Sequence, residues 1–346
     1  MSHNSNGRLV AFSRVTSALV FAVILFSAHA LRAEVKTLRI AAQFGIGYLP
    51  LYVARDAGLM DQEMRRQGLE PVPIEIRNMA GAPDINAGLL SQSLEIGCGG
   101  ITALMITWDK TRTAGDSQIK GIAAFSTVPY VLMTVNPKVH SLRDLSASDR
   151  IGLPAVKVSV PAIMLEIASE QTFGAGQYDK LAPLTVSLAM PDGVISLLSG
   201  GGVVDSYTLS PPFISQVKGK PGIHQAWSST EVFGTPTTAL VSWTTARFRR
   251  ENPHTYAAYV AALKDAMQFI KDNRRQAAAL YLKAESSKLS IDLIMDALAD
   301  PDVRYAIAPE NSAKLAEFLT HIGMIHGKVE SWKDLFFPEI HSEDGS

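Results

Sequence analysis

The sequence predicts an α/β protein of two related lobes, each a mainly parallel sheet with flanking helices, with a ligand cleft between the lobes. Three observations predict this fold. Short apolar strands alternate with helical segments early in the chain, an order that is typical of parallel sheets covered by helices. The same order returns further along the chain. Two β-rich runs that each contain a proline are suited to connect the two lobes.

Length and composition fit a folded protein with more than one core. The chain has 346 residues, so about two domains are expected. Hydrophobic residues make up 47% and charged residues 19%, which excludes a disordered chain. Basic residues number 32 against 33 acidic ones, and neither sign forms a run. Nucleic acid is therefore not an expected partner.

The first 33 residues have the pattern of a secretory signal peptide. Arg8 and Arg14 precede an uninterrupted apolar run, which small residues follow. The run is shorter than the roughly 20 apolar residues that a transmembrane helix needs. We expect cleavage near Ala30 or Ala33 and a mature protein outside the cytoplasm. This protein would have no internal disulfide, because Cys98 is its only cysteine.

In the first predicted unit, apolar alternation and glycine breaks define the elements. The predicted strands are 38–42, 72–76, 94–97 and 121–125. The predicted helices begin near Tyr48 and cover 82–91 and about 101–108. Pro50 suits the first turn of the earliest helix. Each helix follows a strand directly, which predicts helices on both faces of the sheet.

The second unit repeats this order. Its predicted strands are 150–153, 184–188 and 203–205, and its predicted helices are 160–173 and 191–199. The segment from Leu198 to Asp205 also echoes the segment from Leu90 to Glu95 in the first unit. Two related lobes are therefore expected.

Two extended stretches, 127–136 and 235–243, are interpreted as crossings between the lobes. The second lobe is then an insertion in the first. The predicted organisation is a signal peptide at 1–33, a discontinuous lobe 1 at 34–127 and 236–346, and an inserted lobe 2 at 128–235. After the second crossing the predicted helices are 253–271, 274–284, 291–299 and 313–322, with a final turn at 332–336.

Ligands of open parallel sheets bind beyond the carboxyl ends of the strands, where helices begin. In the first lobe this rule selects the loop from Gln43 through Gly45 and Gly47 to Tyr48, and the turn from Gly99 to Thr102. Gly99 and Gly100 leave backbone N–H groups open to a ligand ahead of Ile101, and Thr102 adds a hydroxyl. Gly45 and Gly47 are equally consistent with a simple turn.

In the second lobe the same rule selects Lys157, Ser159, Asp205 and Phe213. Lys157 and Ser159 precede a helix and could neutralise an anion, or they could be a surface lysine and a helix cap. Asp205 could bind an amine or cap a turn. Phe213 could stack on a ligand, although an aromatic side chain near a sheet is commonly part of the core.

Enzymatic chemistry has little support in the sequence. There is no nucleophile elbow, no phosphate-binding loop and no histidine pair at metal-ligand spacing. We therefore expect no catalytic residue, no metal and no cofactor. Cys98, at the end of a predicted strand, leaves a thiol nucleophile open as an alternative.

Four motifs carry a resemblance to a known family. They are YLPLYVARDAGLM at 48–60, LEIGCGGIT at 94–102, SLRDL at 141–145 and GVVDS at 202–206. In these motifs, and along nearly the whole mature chain, the sequence resembles the nitrate/sulfonate/taurine substrate-binding proteins of ABC importers. The resemblance implies a periplasmic binding protein fold of the second topological type. It also implies a monomer in the periplasm, a small-molecule ligand and an ABC permease in the inner membrane as partner.

The resemblance places the ligand against the loops selected above and against the crossover at Ser126 and Thr127. No arginine lies in the candidate loops, so a clamp for a sulfonate or nitrate is not visible. The ligand class stays open between small organic and oxyanion solutes. Two other functions remain as alternatives: a desulfinase-like enzyme that uses Cys98, and an extracytoplasmic sensory module.

Overall fold

The computed structural model describes residues 34–79, 81–235 and 237–346. The predicted signal peptide and its cleavage sites lie outside these residues. Within them, no helix is both long and apolar enough to cross a membrane.

The described strands form two sheets. The strands are β1 (Leu38–Ala42), β2 (Ile74–Asn78), β3 (Ile96–Gly100), β4 (Ile119–Thr127), β5 (Val131–Thr134), β6 (Ile151–Leu153), β7 (Thr185–Ser187), β8 (Ser206–Leu209), β9 (His224–Ser228), β10 (Thr238–Thr245) and β11 (Arg304–Tyr305). The first sheet has the order β11-β4-β10-β3-β1-β2, and the second has the order β7-β6-β8-β5-β9.

Helices flank both sheets. They are α1 (Leu49–Asp56), α2 (Leu59–Arg66), α3 (Ala82–Leu90), α4 (Ile101–Thr111), α5 (Val160–Phe173), α6 (Met190–Leu198), α7 (Phe213–Val217), α8 (Thr230–Phe233), α9 (Ala246–Glu251), α10 (Pro253–Asp272), α11 (Arg274–Ala284), α12 (Ile291–Ala299), α13 (Ala313–His321) and α14 (Trp332–Leu335). The predicted α/β class and the two-lobe architecture are confirmed.

Both sheets are mixed, which refines the prediction of mainly parallel sheets. In the first sheet, β1 pairs in parallel with β2 and β3, whereas β10 is antiparallel to β3 and β4. In the second, β6 pairs in parallel with β7 and β8, whereas β5 is antiparallel to β8 and β9. Each of these antiparallel strands, β5 and β10, overlaps a predicted crossing. The chain enters each sheet from the cleft edge and therefore runs against the strands that end there.

The strands of the first sheet fall within 34–127 and 236–346, and those of the second fall within 128–235. The exact lobe boundaries stay a prediction. Three strands, β2, β3 and β8, lie further along the chain than predicted. β3 extends to Gly100, because the glycines of the strand let it pack against Trp243. β8 begins at Ser206, because residues 203–205 form an irregular segment before it.

Candidate functional site

A cavity of about 30 Å³ lies where residues from the strand ends of both sheets meet. We call it the cleft cavity. Its walls come from the loop after β1, the start of α4, the first crossing, the loop before α5 and the residues that follow β8. One water needs about 10–15 Å³ of such space. The cleft cavity therefore has room for two or three waters, or for one small polar group of a solute.

Among the described residues, five helices of at least eight residues begin at this cavity. Tyr48, Gly100 and Ser159 precede α1, α4 and α5, whereas Ala82 and Met190 are the first residues of α3 and α6. None of the five helices has a side-chain hydrogen bond at its N-cap. First-turn N–H groups have no partner within a helix, and the helix dipole makes this end positive. The cavity is therefore rich in donors from both lobes.

Gly100 allows the two lobes to approach closely. A Cβ atom at this position would lie 3.0 Å from Cγ2 and 3.4 Å from the backbone nitrogen of Val160. The φ and ψ angles of Gly100 are −67° and 139°, which any residue can adopt. Gly100 is thus required by the space between α4 and α5 and not by its backbone conformation.

Two hydrogen bonds join the walls of the cleft. The Oγ1 of Thr102 donates to the carbonyl of Val158 at 2.7 Å, and the N–H of Ile46 donates to the carbonyl of Pro211 at 3.2 Å. Thr102 is fully buried. Its hydroxyl therefore links the two sides of the cleft.

The loop between β1 and α1 is fixed from behind by the last third of the chain. The carboxyl of Glu285 accepts hydrogen bonds from the Tyr52 hydroxyl, at 2.5 Å, and from the N–H of Gly45. The Tyr305 hydroxyl donates to the carbonyl of Ile46 at 2.9 Å. Burial raises the pKa of Glu285 to about 7, although the two hydrogen bonds act in the opposite direction. These contacts set the position of one wall of the cleft.

Two tyrosines contribute further polar groups to the cleft walls. Tyr48 and Tyr130 both line the cavity and are 1% and 6% exposed. Neither hydroxyl has a hydrogen-bond partner in the part of the chain that the structure describes. Burial raises the pKa of both hydroxyls, so they remain protonated and can donate. The Oγ of Ser126, directly behind Gly47, is also buried and has no hydrogen-bond partner among the described residues.

No aspartate, glutamate, lysine, arginine or histidine of the described residues lines the cleft cavity. Neutral N–H and O–H donors therefore provide its polarity. Such donors can hold an anion or a neutral acceptor in a closed site without the cost of burying a charged side chain.

The structure brings six of the predicted site residues together. The residues that line the cleft cavity are Gln43, Gly45, Gly47, Tyr48, Gly100 and Ser159. The Oγ of Ser159 donates to the carbonyl of Ala155 at 2.6 Å. It therefore stabilises the loop ahead of α5.

Five other predicted residues lie behind the cavity wall: Gly99, Ile101, Thr102, Ser126 and Thr127. A Cβ atom at Gly99 would lie 2.9 Å from the Trp243 ring, so this glycine makes room for the core. Ile101 is fully buried, and Thr127 pairs with Thr238 and Arg304 in the first sheet.

Lys157, Asp205 and Phe213 also lie away from the cavity. Asp205 is at the amino end of β8 and accepts hydrogen bonds from the Arg150 N–H and the Ser206 hydroxyl, both at 2.8 Å. It caps a turn, and the prediction of amine binding is not supported. Lys157 is exposed and lies beside a separate small cavity that contains Glu166. Phe213 is buried behind Gly45.

Sequence reasoning missed several residues of the wall, including Val128, Tyr130, Met190, Ser210 and Leu240. Val128 and Tyr130 belong to the first crossing, which was interpreted as a connection and not as a wall. Ser210 directly follows β8. Because that strand was predicted too early in the chain, Asp205 was selected in its place.

Cys98 does not line the cleft cavity. It is fully buried, with its Sγ 3.8 Å from the Tyr259 hydroxyl, and burial raises the pKa of the thiol. A buried neutral thiol is a poor nucleophile. The arrangement therefore gives no support to the desulfinase-like alternative. No group of three or more potential metal-binding side chains occurs within the described ranges.

The sequence matches no protein-family model and no curated protein. Several solved structures have a similar fold. The periplasmic nitrate-binding protein NrtA from Synechocystis PCC 6803 gives a TM-score of 0.68 at 13% identity, over 86% of this chain and 84% of that one. The periplasmic aliphatic sulphonate-binding protein SsuA from Escherichia coli gives 0.62 at 17% identity, over 87% and 99%.

The alkanesulfonate-binding protein SsuA from Xanthomonas axonopodis pv. citri, in a structure with bound MOPS, gives a TM-score of 0.64 at 15% identity, over 86% of this chain and 96% of that one. At these identities the similarity establishes the fold. The chain has the two-lobe fold of the periplasmic binding proteins, as the sequence motifs predicted.

Proposed function

We propose that this protein is the extracytoplasmic solute-binding protein of an ABC importer and not an enzyme. It captures a small organic or oxyanion solute by closing lobe 1 (34–127 and 236–346) on lobe 2 (128–235). It then presents the solute, as a periplasmic monomer, to a permease in the inner membrane. One observation carries this proposal: helix N-termini from both lobes, without side-chain caps, meet at a single cavity.

The chemistry of the cleft favours a solute rich in hydrogen-bond acceptors. Backbone N–H groups and tyrosine hydroxyls can donate to sulfonate, nitrate, carboxylate or carbonyl oxygens. A cationic solute is disfavoured, because the helix dipoles are positive at this end and no carboxylate lines the cavity. The nitrate and sulphonate binding stated for the similar structures agrees with this solute class.

A ligand screen of the mature chain from Glu34 tests the proposal. We expect nitrate, small sulfonates, carboxylates or neutral acceptors to give a saturable rise in melting temperature, and alkylammonium ions to give none. A ligand at a hundredfold excess over its Kd stabilises the native state by about 2.7 kcal/mol. If only cations bind, or if a solute is consumed, the proposal fails.

The delivery step has its own test. Reconstituted import should require the solute, this protein and a matching permease with its ATPase. Binding without import in any such system, together with activation of a neighbouring sensor kinase, would contradict the transport role and favour a sensory module.

A further inference from the structure

A second cavity, of about 280 Å³, lies at the β11 edge of the first sheet. We call it the edge cavity. It lies between the end of α10, the start of α11, the end of α12 and the residues of β11. All of its lining residues are in the last 80 residues of the chain. The cleft cavity has none of these residues in its wall.

The floor of the edge cavity is apolar. Ile270, Leu298 and Val303 line it and are 4%, 7% and 7% exposed, and Met267 adds a half-buried thioether. Met is well suited to irregular apolar gaps that accept varied partners. The floor is therefore suited to a short hydrocarbon segment.

The rim of the same cavity is cationic. Lys271, Arg274 and Arg304 line it, and no acidic residue does. Arg304 forms an ion pair with Glu310 at 2.5 Å. Lys271 and Arg274 are exposed and form no ion pair with any described residue. Two cations on adjoining turns are thus free to bind an anionic group.

We propose that the edge cavity binds a small amphiphilic anion, with a carboxylate, phosphate or sulfonate head on the cationic rim and a short hydrocarbon part on the apolar floor. Arginine and lysine bind such oxyanions through charge-assisted hydrogen bonds. A single-sign cluster in a concave site raises the local concentration of the opposite charge. The head group stays at the solvent edge, so that neither charge is fully dehydrated.

Residues of the edge cavity contact the loop that forms one wall of the cleft. Tyr305 lines the edge cavity, and its hydroxyl donates to the carbonyl of Ile46 in the cleft loop. The strand that carries Tyr305 also pairs with Ser126 and Thr127, immediately before the first crossing. One residue therefore joins the edge cavity to a wall of the ligand cleft.

Calorimetric titration of the mature chain with octanoate tests this inference. We expect octanoate to occupy one saturable site outside the cleft. This site should bind propionate, which has a shorter hydrocarbon part, and octylammonium, which has the wrong charge, much more weakly. The double variant Lys271→Gln/Arg274→Gln should lose at least about tenfold in octanoate affinity. The control Arg275→Gln, on the adjacent exposed arginine that does not line the cavity, should bind as the wild type does.

A second comparison locates the bound anion. Leu298→Gln should weaken octanoate binding through the floor, whereas Tyr130→Phe in the cleft should leave it unchanged. If octanoate binding survives the double variant but falls in Tyr130→Phe, octanoate occupies the cleft and the inference is wrong. Equal binding of octylammonium would also overturn it.

The source of the anion is distinguished with vesicles. Flotation with phosphatidylglycerol vesicles, lost in the double variant, would assign the edge cavity to a membrane lipid. Octanoate binding without flotation would assign it to a free solute. If the protein binds neither octanoate nor the vesicles, the edge cavity is not a binding site. This result would not affect the solute-binding function proposed for the cleft.

Discussion

The two cavities differ in the groups that make them polar. The cleft cavity measures about 30 Å³, is shared by both lobes and has no charged side chain in its wall. The edge cavity measures about 280 Å³, belongs to one lobe and has three cationic side chains. The first is lined by residues that are mostly buried, whereas the second has exposed side chains at its rim.

This difference shows where the fold can hold charged side chains. A charged side chain in the closed cleft would lose its hydration and cost several kcal/mol unless the solute compensated it fully. Helix N-termini and tyrosine hydroxyls avoid that cost, because the dipoles are already part of the structure. At the rim of the edge cavity, water remains available to lysine and arginine, so full charges can be retained.

The largest expected effect comes from Gly100→Val, which acts only on the cleft. The new side chain would enter the space of Val160 and hold the lobes apart. We expect solute affinity in the cleft to fall by at least about a hundredfold, which is a loss of about 2.7 kcal/mol. The melting temperature without solute should change little, because the backbone angles suit valine.

Calorimetry with the best solute of the screen measures the effect. The exposed Gly202→Val is the matched control. If Gly100→Val binds as the wild type does, Gly100 does not control closure.

Thr102→Val tests one of the two hydrogen bonds that join the walls of the cleft. It removes the hydroxyl that donates to the Val158 carbonyl in the closed state. Loss of one buried hydrogen bond costs about 1–2 kcal/mol, so we expect affinity to fall about tenfold. Stopped-flow measurements should show the change in the dissociation rate. The exposed Thr113→Val serves as the control, and an unchanged dissociation rate in Thr102→Val would contradict the role of this bond.

Tyr130→Phe tests the proposed donation to the solute. The ring remains and only the hydroxyl is lost, so the fold is preserved. A single neutral hydrogen bond contributes about 1 kcal/mol, and we expect a loss of about fivefold in affinity. Tyr178→Phe, away from the cleft cavity, is the control. Equal affinities for all three proteins would remove Tyr130 from the ligand contacts.

The effect expected for Glu285→Gln is on the stability of the fold. The pKa of Glu285 rises from 4.5 to about 7 on folding, so the native state holds its proton longer than the unfolded state does. The stability from this group is present below pH 4.5 and is lost as pH rises through 7. We therefore expect Glu285→Gln to be more stable than the wild type at pH 8, and about equally stable at pH 4.5.

Urea unfolding across this pH range measures the difference, with Glu317→Gln as an exposed control. A constant difference between Glu285→Gln and the wild type at all pH values would show that burial of the charge is not responsible.

The sequence predicts the order of elements better than it predicts the residues of the site. Strand and helix patterns are local, and the loops at the strand ends supplied Gly45, Tyr48, Gly100 and Ser159, which all line the cleft cavity. Asp205 was selected because a turn was interpreted as a strand. Tyr130 was missed because its role depends on where the crossing passes in space.

The edge cavity could not be predicted from the sequence. Its wall combines α10 and the start of α11 with residues 298–305, and only the packing of these helices against the β11 edge brings their cations together. No local sequence pattern predicts that arrangement.

The position of β10 has a consequence for biogenesis. This strand lies between β3 and β4 in the first sheet, although more than 100 residues separate it from β4 in the chain. The first sheet therefore stays incomplete until that late segment has emerged, whereas β5 to β9 are contiguous and can assemble earlier. Non-local pairing slows folding and leaves strand edges open. A chain that emerges N-terminus first would thus expose β3 and β4 to aggregation, and holdase chaperones would be most needed during this interval.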